Sequence, residues 1–184
     1  MGALETQVVK VLTKAETGKI KFSLGVISID SNSYKQVKTN IDNGKIKVVY
    51  DSKLGKNAAK YRYTHNTLFL GFQLADTGDR EALIIHECTH AVCDIAKKAL
   101  LVSQSEAAAY VAQCLYFYYL NEAALAKGTV QPTFKSGILQ AAWDVATKAR
   151  QNSSLSDKDT EKLIAEIAKD PAYKSKQSYA YDGV

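Results

Sequence analysis

The 184 residues, 46% apolar and 23% charged, suffice for one well-formed core and leave two domains cramped. Lys and Arg total 24 against 19 Asp and Glu, a net charge of +5, and no basic run is interleaved with aromatics as in known nucleic-acid modules, so nucleic acid is not an expected partner. No stretch approaches a membrane span, since the longest apolar, uncharged run in a helical context, Ala107 to Asn121, has 15 residues and contains Gln113.

The start of the chain lacks the charged, apolar and cleavage regions of a signal peptide. The expected location is therefore the cytoplasm, or outside the cell by a route that needs no such peptide, unless a leader has been removed.

Leu4 to Glu16 opens the chain with Val8, Val9, Val11 and Leu12 at helical spacing, ending at Gly18. Lys19 to Asp30 is rich in β-branched and aromatic residues and reads as a strand, with Gly25 as a bulge. A weaker helix follows from the caps at Ser31-Asn32-Ser33 to Ile41, closed by Asn43-Gly44, and then a strand from Lys45 to Tyr50. Asp51 to Lys60 reads as a loop. Tyr61 to Gln73 resumes strand character, interrupted at His65-Asn66. Residues 1–62 hold 12 basic and 5 acidic side chains, residues 63–184 hold 12 and 14. The alternation Lys45-Ile46-Lys47-Val48 explains part of that excess as a strand showing charge to water and discouraging edge pairing.

From Arg80 to Leu101 the apolar residues Leu83, Ile84, Ile85, Ala91, Val92, Ile95, Ala96, Ala99 and Leu100 recur at near-helical spacing, after cap residues at Asp76-Thr77-Gly78-Asp79. At about 100° per residue, His86, Glu87, His90, Asp94 and Lys97 fall in one arc of about 100° on an otherwise apolar helix. The segment His86-Glu87-Cys88-Thr89-His90 places two of the three histidines one turn apart, so both rings can reach one metal ion while Glu87 stands beside it. A chain of this length shows such a pattern by chance about once in a hundred times or less. Asp94, one turn on, is placed either to accept the second N–H of His90 or to pair with Lys97 or Lys98 at the surface.

A second helix begins at Ser103-Gln104-Ser105-Glu106, apolar nearly all round through Ala107 to Ala112 and Leu115 to Leu120, and so central to the fold. Glu106 is the favoured third ligand, because a carboxylate suits zinc better than an amide. Two alternatives stay open. Ser103-x-x-Glu106 is also a capping box, and an antiparallel partner to a helix continuing to Leu101 would oppose His90 with Gln113 rather than Glu106. Glu106 reaches the ion only if the first helix stops early or the two cross steeply, and Glu122 is the reserve.

Cys88, Cys93 and Cys114 form no C-x-x-C pair and read as reduced, buried residues, with a Cys93 to Cys114 link left open. Lys135 to Gln151 forms a helix carrying Trp143. Ser156 caps a last one that ends before Pro171, with an apolar set thin enough to predict peripheral docking. The domain is expected to span residues 1–172, followed by a polar, mobile tail over 173–184.

The segment from His86 to Asp94, followed 16 residues after His90 by Glu106, resembles the gluzincin branch of the zincin metallopeptidases, and the active-site helix looks like that of thermolysin-type enzymes, with the cysteines as departures. The resemblance implies an α+β, zincin-like fold in which a small twisted sheet precedes a mostly helical part, and an edge strand upstream of the metal helix lines the cleft and pairs with an extended substrate. It also implies Zn2+ held by His86, His90 and Glu106, with Glu87 as general base. A donor must stabilise the oxyanion, and the candidates are His65 and Tyr110. No histidine follows His90, so the downstream histidine of thermolysin-type enzymes has no counterpart.

The expected activity is thus zinc-dependent hydrolysis of peptide bonds by a metalloendopeptidase acting on a peptide or protein, with no membrane partner and with a delivery or inhibitor protein if the domain is an effector. The alternative is a noncatalytic zinc-stabilised or degenerate module that binds a protein or anionic partner.

Overall fold

The computed structural model describes residues 2–134, 136–174 and 178–184. Helix outweighs strand, and the strands form small sheets of two or three members, so the chain is α+β as its sequence implies. No helix among the described residues is long and apolar enough to cross a membrane.

Helices α1 (Ala3–Leu12) and α2 (Ala15–Gly18) divide what the sequence suggests is one helix. The expected single strand over 19–30 is a hairpin, β1 (Phe22–Leu24) and β2 (Ile27–Ile29), in which Leu24 faces Ile27 across Gly25-Val26. Gly25 has φ 55, a conformation glycine adopts without steric cost, so it makes the turn rather than a bulge. The Asp30 side chain accepts from Ser33 N–H at 2.9 Å and caps α3 (Ser31–Asp42).

Three strands follow. β3 (Lys47–Tyr50) runs parallel to β5 (Thr67–Leu70), and β4 (Ala59–Arg62) pairs antiparallel with β5, giving the order β3-β5-β4. The break expected at His65-Asn66 is a tight turn with Asn66 left-handed at φ 46. Lys45 and Lys47 are exposed around buried Ile46, as predicted for a charged edge.

Helix α4 (Gly78–Ile95) stops six residues earlier than its apolar pattern suggests. Lys97 takes φ 51, its N–H donates to Asp94 C=O, and Lys98 N–H donates to Cys93 C=O, the paired bonds that close a Schellman turn. The chain then forms β6 (Ala99–Leu101) and turns at once into α5 (Val102–Leu120), the helix that packs most extensively on α4. Fully buried alanines at 107, 108, 109 and 112 keep α5 slim enough for neighbours on several sides.

After α6 (Glu122–Ala126), α7 (Gly137–Gln151) packs on α5, and β7 (Ser154–Leu155) adds to β1. Lys135, the predicted first residue of α7, lies outside the described residues. Helix α8 (Asp157–Lys169) is no peripheral addition. Its Leu163 and Ile167 are fully buried, because it packs on both α7 and α5. A short α9 (Pro171–Lys174) follows.

The stretch expected as a free polar tail over 173–184 is not free where it is described, and residues 175–177 lie outside the described residues. Strand β8 (Ser178–Ala180) pairs antiparallel with β6, and Tyr181 beyond it is buried at 7% exposure.

Candidate metal centre

The early stop of α4 brings Glu106 to the two histidines. His86, His90 and Glu106 each offer a ligand atom, and these atoms lie within 4.8 Å of one another in a buried cluster. Glu106 Oε2 is 3.4 Å from His86 Nε2, and Glu106 Oε1 is 3.6 Å from His90 Nε2. Bonds of about 2.0–2.2 Å in a tetrahedral site separate ligand atoms by about 3.4 Å, so the spacing suits an ion of that kind. Glu106 Oε2 is buried and accepts no hydrogen bond, a costly state for a carboxylate oxygen that a bound cation would relieve. The three side chains therefore fit a metal ion on spacing, donor type and an otherwise unpartnered oxygen.

The other two readings of the α5 start fall away. Gln104 Oε1, not Glu106, returns to the Leu101 N–H at 3.1 Å, so the capping role belongs to its neighbour. Gln113 accepts at His86 Nδ1, 3.0 Å away, and Glu122 pairs with Lys19 at an exposed site.

With Nδ1 of each ring engaged, Nε2 of each faces Glu106. His86 donates Nδ1–H to Gln113 Oε1, and His90 Nδ1 lies 2.8 Å from Ser105 Oγ and 3.1 Å from the Tyr181 hydroxyl. Those two hydroxyls are themselves 2.7 Å apart. Tyr179 donates its hydroxyl to Glu106 Oε1 at 3.0 Å. Burial works against a charged His90, but the Glu106 carboxylate outweighs it and raises the imidazole above its ordinary range. For Glu106 burial likewise opposes ionisation, and the two histidines override it, holding the carboxyl well below the usual carboxylate range.

Asp94 does not touch His90, nor does it pair with Lys97 or Lys98 at the surface. It is fully buried, accepting from the Tyr61 hydroxyl at 2.7 Å and from Gly183 N–H at 3.1 Å. Ser105 and Tyr181 occupy the place at His90 that was one of the two alternatives for Asp94. Lys97 leaves the predicted polar arc because the helix ends before it.

Glu87 lines the same cleft, and its Oε2 accepts the backbone N–H of Tyr61 at 2.6 Å. That bond turns the Tyr61 backbone away from β5, and by alternation the Ala59 backbone faces outward too, so edge strand β4 presents one side to the cleft. The cleft is about 520 Å³, bounded by residues 59–64 on one side and by His86, Glu87, His90, Glu106, Tyr173 and Tyr179 on the other.

The two expected oxyanion donors do not line it. His65 is exposed in the turn after β4, with Nδ1 at 2.8 Å from Thr64 Oγ1. Tyr110 packs edge-on against His86, ring centres 4.5 Å apart, and its hydroxyl meets that of Tyr173 at 3.0 Å. Tyr173, Tyr179 and Tyr181 are among the phenols that line the cleft, and the sequence reading missed all three, as it missed Ser105.

The cysteines stay apart from this chemistry. All three are free and buried, so the open Cys93 to Cys114 link is not made, and burial pushes the Cys93 and Cys114 thiols up to about 12.

The chain matches no family model, no curated protein and no solved structure. What the cluster can do is thus set by its own side chains. Two imidazoles, a carboxylate ligand and a second carboxylate one residue from a ligand, opening on a cleft beside an edge strand, can hold a divalent ion and move a proton next to it.

Proposed function

We propose that the protein is a zinc-dependent metallopeptidase of the gluzincin type, with His86, His90 and Glu106 holding Zn2+ and Glu87 as general base. The observation that carries the reading is the bare Glu106 Oε2, buried 3.4 Å from His86 Nε2 on a carboxylate whose other oxygen lies 3.6 Å from His90 Nε2, with both rings already held from behind. Borderline-soft nitrogen ligands with one carboxylate favour zinc over magnesium or calcium, which take oxygen donors.

Zinc bound there would lower the pKa of a coordinated water toward 7 and polarise a scissile carbonyl. Glu87, one oxygen fixed by Tyr61 N–H, keeps the other for the water proton and delivers that proton to the departing amine nitrogen. The Tyr173 hydroxyl, supported by Tyr110, is the donor best placed to steady charge on the substrate oxygen. An extended peptide can pair with the outward backbone of β4, where Ala59 offers its N–H and C=O while the Tyr61 amide is already committed to Glu87. A peptide or protein is the substrate class that matches such an edge.

A purely structural zinc site, the second reading, usually closes its fourth position with protein, and here three ligands face an open cleft. Hydrolysis of an unfolded protein by the zinc-loaded chain and by Glu87→Gln, with zinc content measured alongside, tests the proposal. The expected result is full zinc retention and a rate loss of about 10²–10⁴-fold in the variant. Equal rates would remove Glu87 from the mechanism.

A further inference from the structure

Every member of the ligand trio is gripped from behind by another group, and two of those groups come from the last seven residues. Gln113 holds His86, Tyr181 joins Ser105 at His90, and Tyr179 holds Glu106. We propose that the 178–184 segment is a working part of the metal centre, with Tyr179 and Tyr181 as positioning residues, so that docking of β8 on β6 and loading of the metal favour each other. The inference rests on the zinc reading above.

Apart from the packing of Tyr181, Tyr179 and Val184 on the core, the segment is held by few contacts. Its ladder with β6 is three residue pairs long, and a two-stranded ribbon of that length is marginal by itself. The other polar contacts include those of Tyr179 and Tyr181 with the site and of Gly183 N–H with Asp94. Tyr63, next to β4, packs edge-on against both rings at 6.1 and 5.4 Å, so the segment spans from the edge strand across to Glu106.

The phenols also suit the task chemically. A metal ion held at His90 Nε2 would leave the ring proton on Nδ1, which would need an acceptor, and the Ser105 and Tyr181 hydroxyls stand there as a bonded pair. Tyr179 donates to one oxygen of Glu106 and leaves the other bare for the ion. If the docked segment tightens metal binding by some factor, the metal must strengthen docking by that same factor.

A chelator competition titration with zinc on the full chain, Tyr179→Phe, Tyr181→Phe and the double variant, read with hydrogen exchange of residues 178–184 with and without zinc, tests this. Phenylalanine keeps each ring and removes only the hydroxyl. We expect each single change to weaken zinc by about 10-fold, the low end for groups that hold a ligand, and the double change by more. Zinc should slow exchange across 178–184 in the parent and less in the double variant. Tight zinc binding by parent and double variant alike, or exchange that ignores zinc in the parent, would overturn the inference alone. A folded parent that takes up no zinc would overturn the metal reading and this inference with it.

Discussion

The α4–α5 pair and the 178–184 segment converge on the same side chains and hold them by different physics. On the helices, His86, Glu87, His90 and Glu106 are each 4–7% exposed and flanked by fully buried Ile84, Ile85, Ala107 and Ala108, so apolar packing fixes where their atoms lie. The segment contributes one buried side chain, Tyr181, and acts through hydroxyls and a short ladder. A metal centre needs its ligands placed within a fraction of an ångström, which rigid helices provide, whereas the groups behind the ligands need only reach them. Position comes from one region and orientation in part from the other.

Breaking the helical member should have the largest effect. Ile85→Ala removes a fully buried side chain next to His86 and is expected to cost about 2–5 kcal/mol, lowering the midpoint of thermal unfolding by about 4–20 °C. A loss too small to detect would mean that α4 is not the rigid partner. Gln113→Ala sharpens the contrast, since Gln113 does for His86 from α5 what Tyr181 does for His90 from the segment. Zinc affinity should fall about 10-fold in that variant. Hydrogen exchange of metal-free 178–184 should not change, because no bond to the segment is lost.

The smallest effect is expected from Gly183→Ala. Gly183 has φ 98, so a side chain there strains the segment by about 1–2 kcal/mol, and its Cβ would meet Lys97 Cε at 2.6 Å, near the end of a flexible side chain that can move aside. Exchange across 178–184 should quicken roughly 5–30-fold while the unfolding midpoint stays within error of the parent. A large drop in that midpoint would place the segment in the main core.

The same division decided what could be read from the residues. His86, Glu87 and His90 announce themselves, because four-residue spacing on an apolar helix has one geometric meaning. Glu106 was readable as a residue type but not as a position, since its reach depended on where α4 stops. That stop carries no glycine or proline. Lys97 adopts the left-handed conformation that usually marks itself with Gly, so the pattern ran on to Leu101. The hairpin at Gly25-Val26 was hidden for a related reason, one glycine serving equally for a bulge or a turn.

Tyr179 and Tyr181 were not legible at all. Ser178-Tyr179-Ala180-Tyr181 is too short and too polar for a periodic signal, and its role exists only through β6, nearly eighty residues earlier in the chain. A hydrogen bond across such a separation leaves no local trace. The error on α8 has the opposite origin, a sparse apolar stripe of which Leu163 and Ile167 are nonetheless wholly enclosed by α5 and α7.

Calorimetric titration of zinc into the metal-free chain and into Glu106→Gln tests the centre most directly. One equivalent should bind the parent, with affinity at least about 10-fold weaker in the variant, because an amide is a poorer zinc ligand than a carboxylate. A folded parent that evolves no heat with zinc, or a variant that binds as tightly as the parent, would contradict the account.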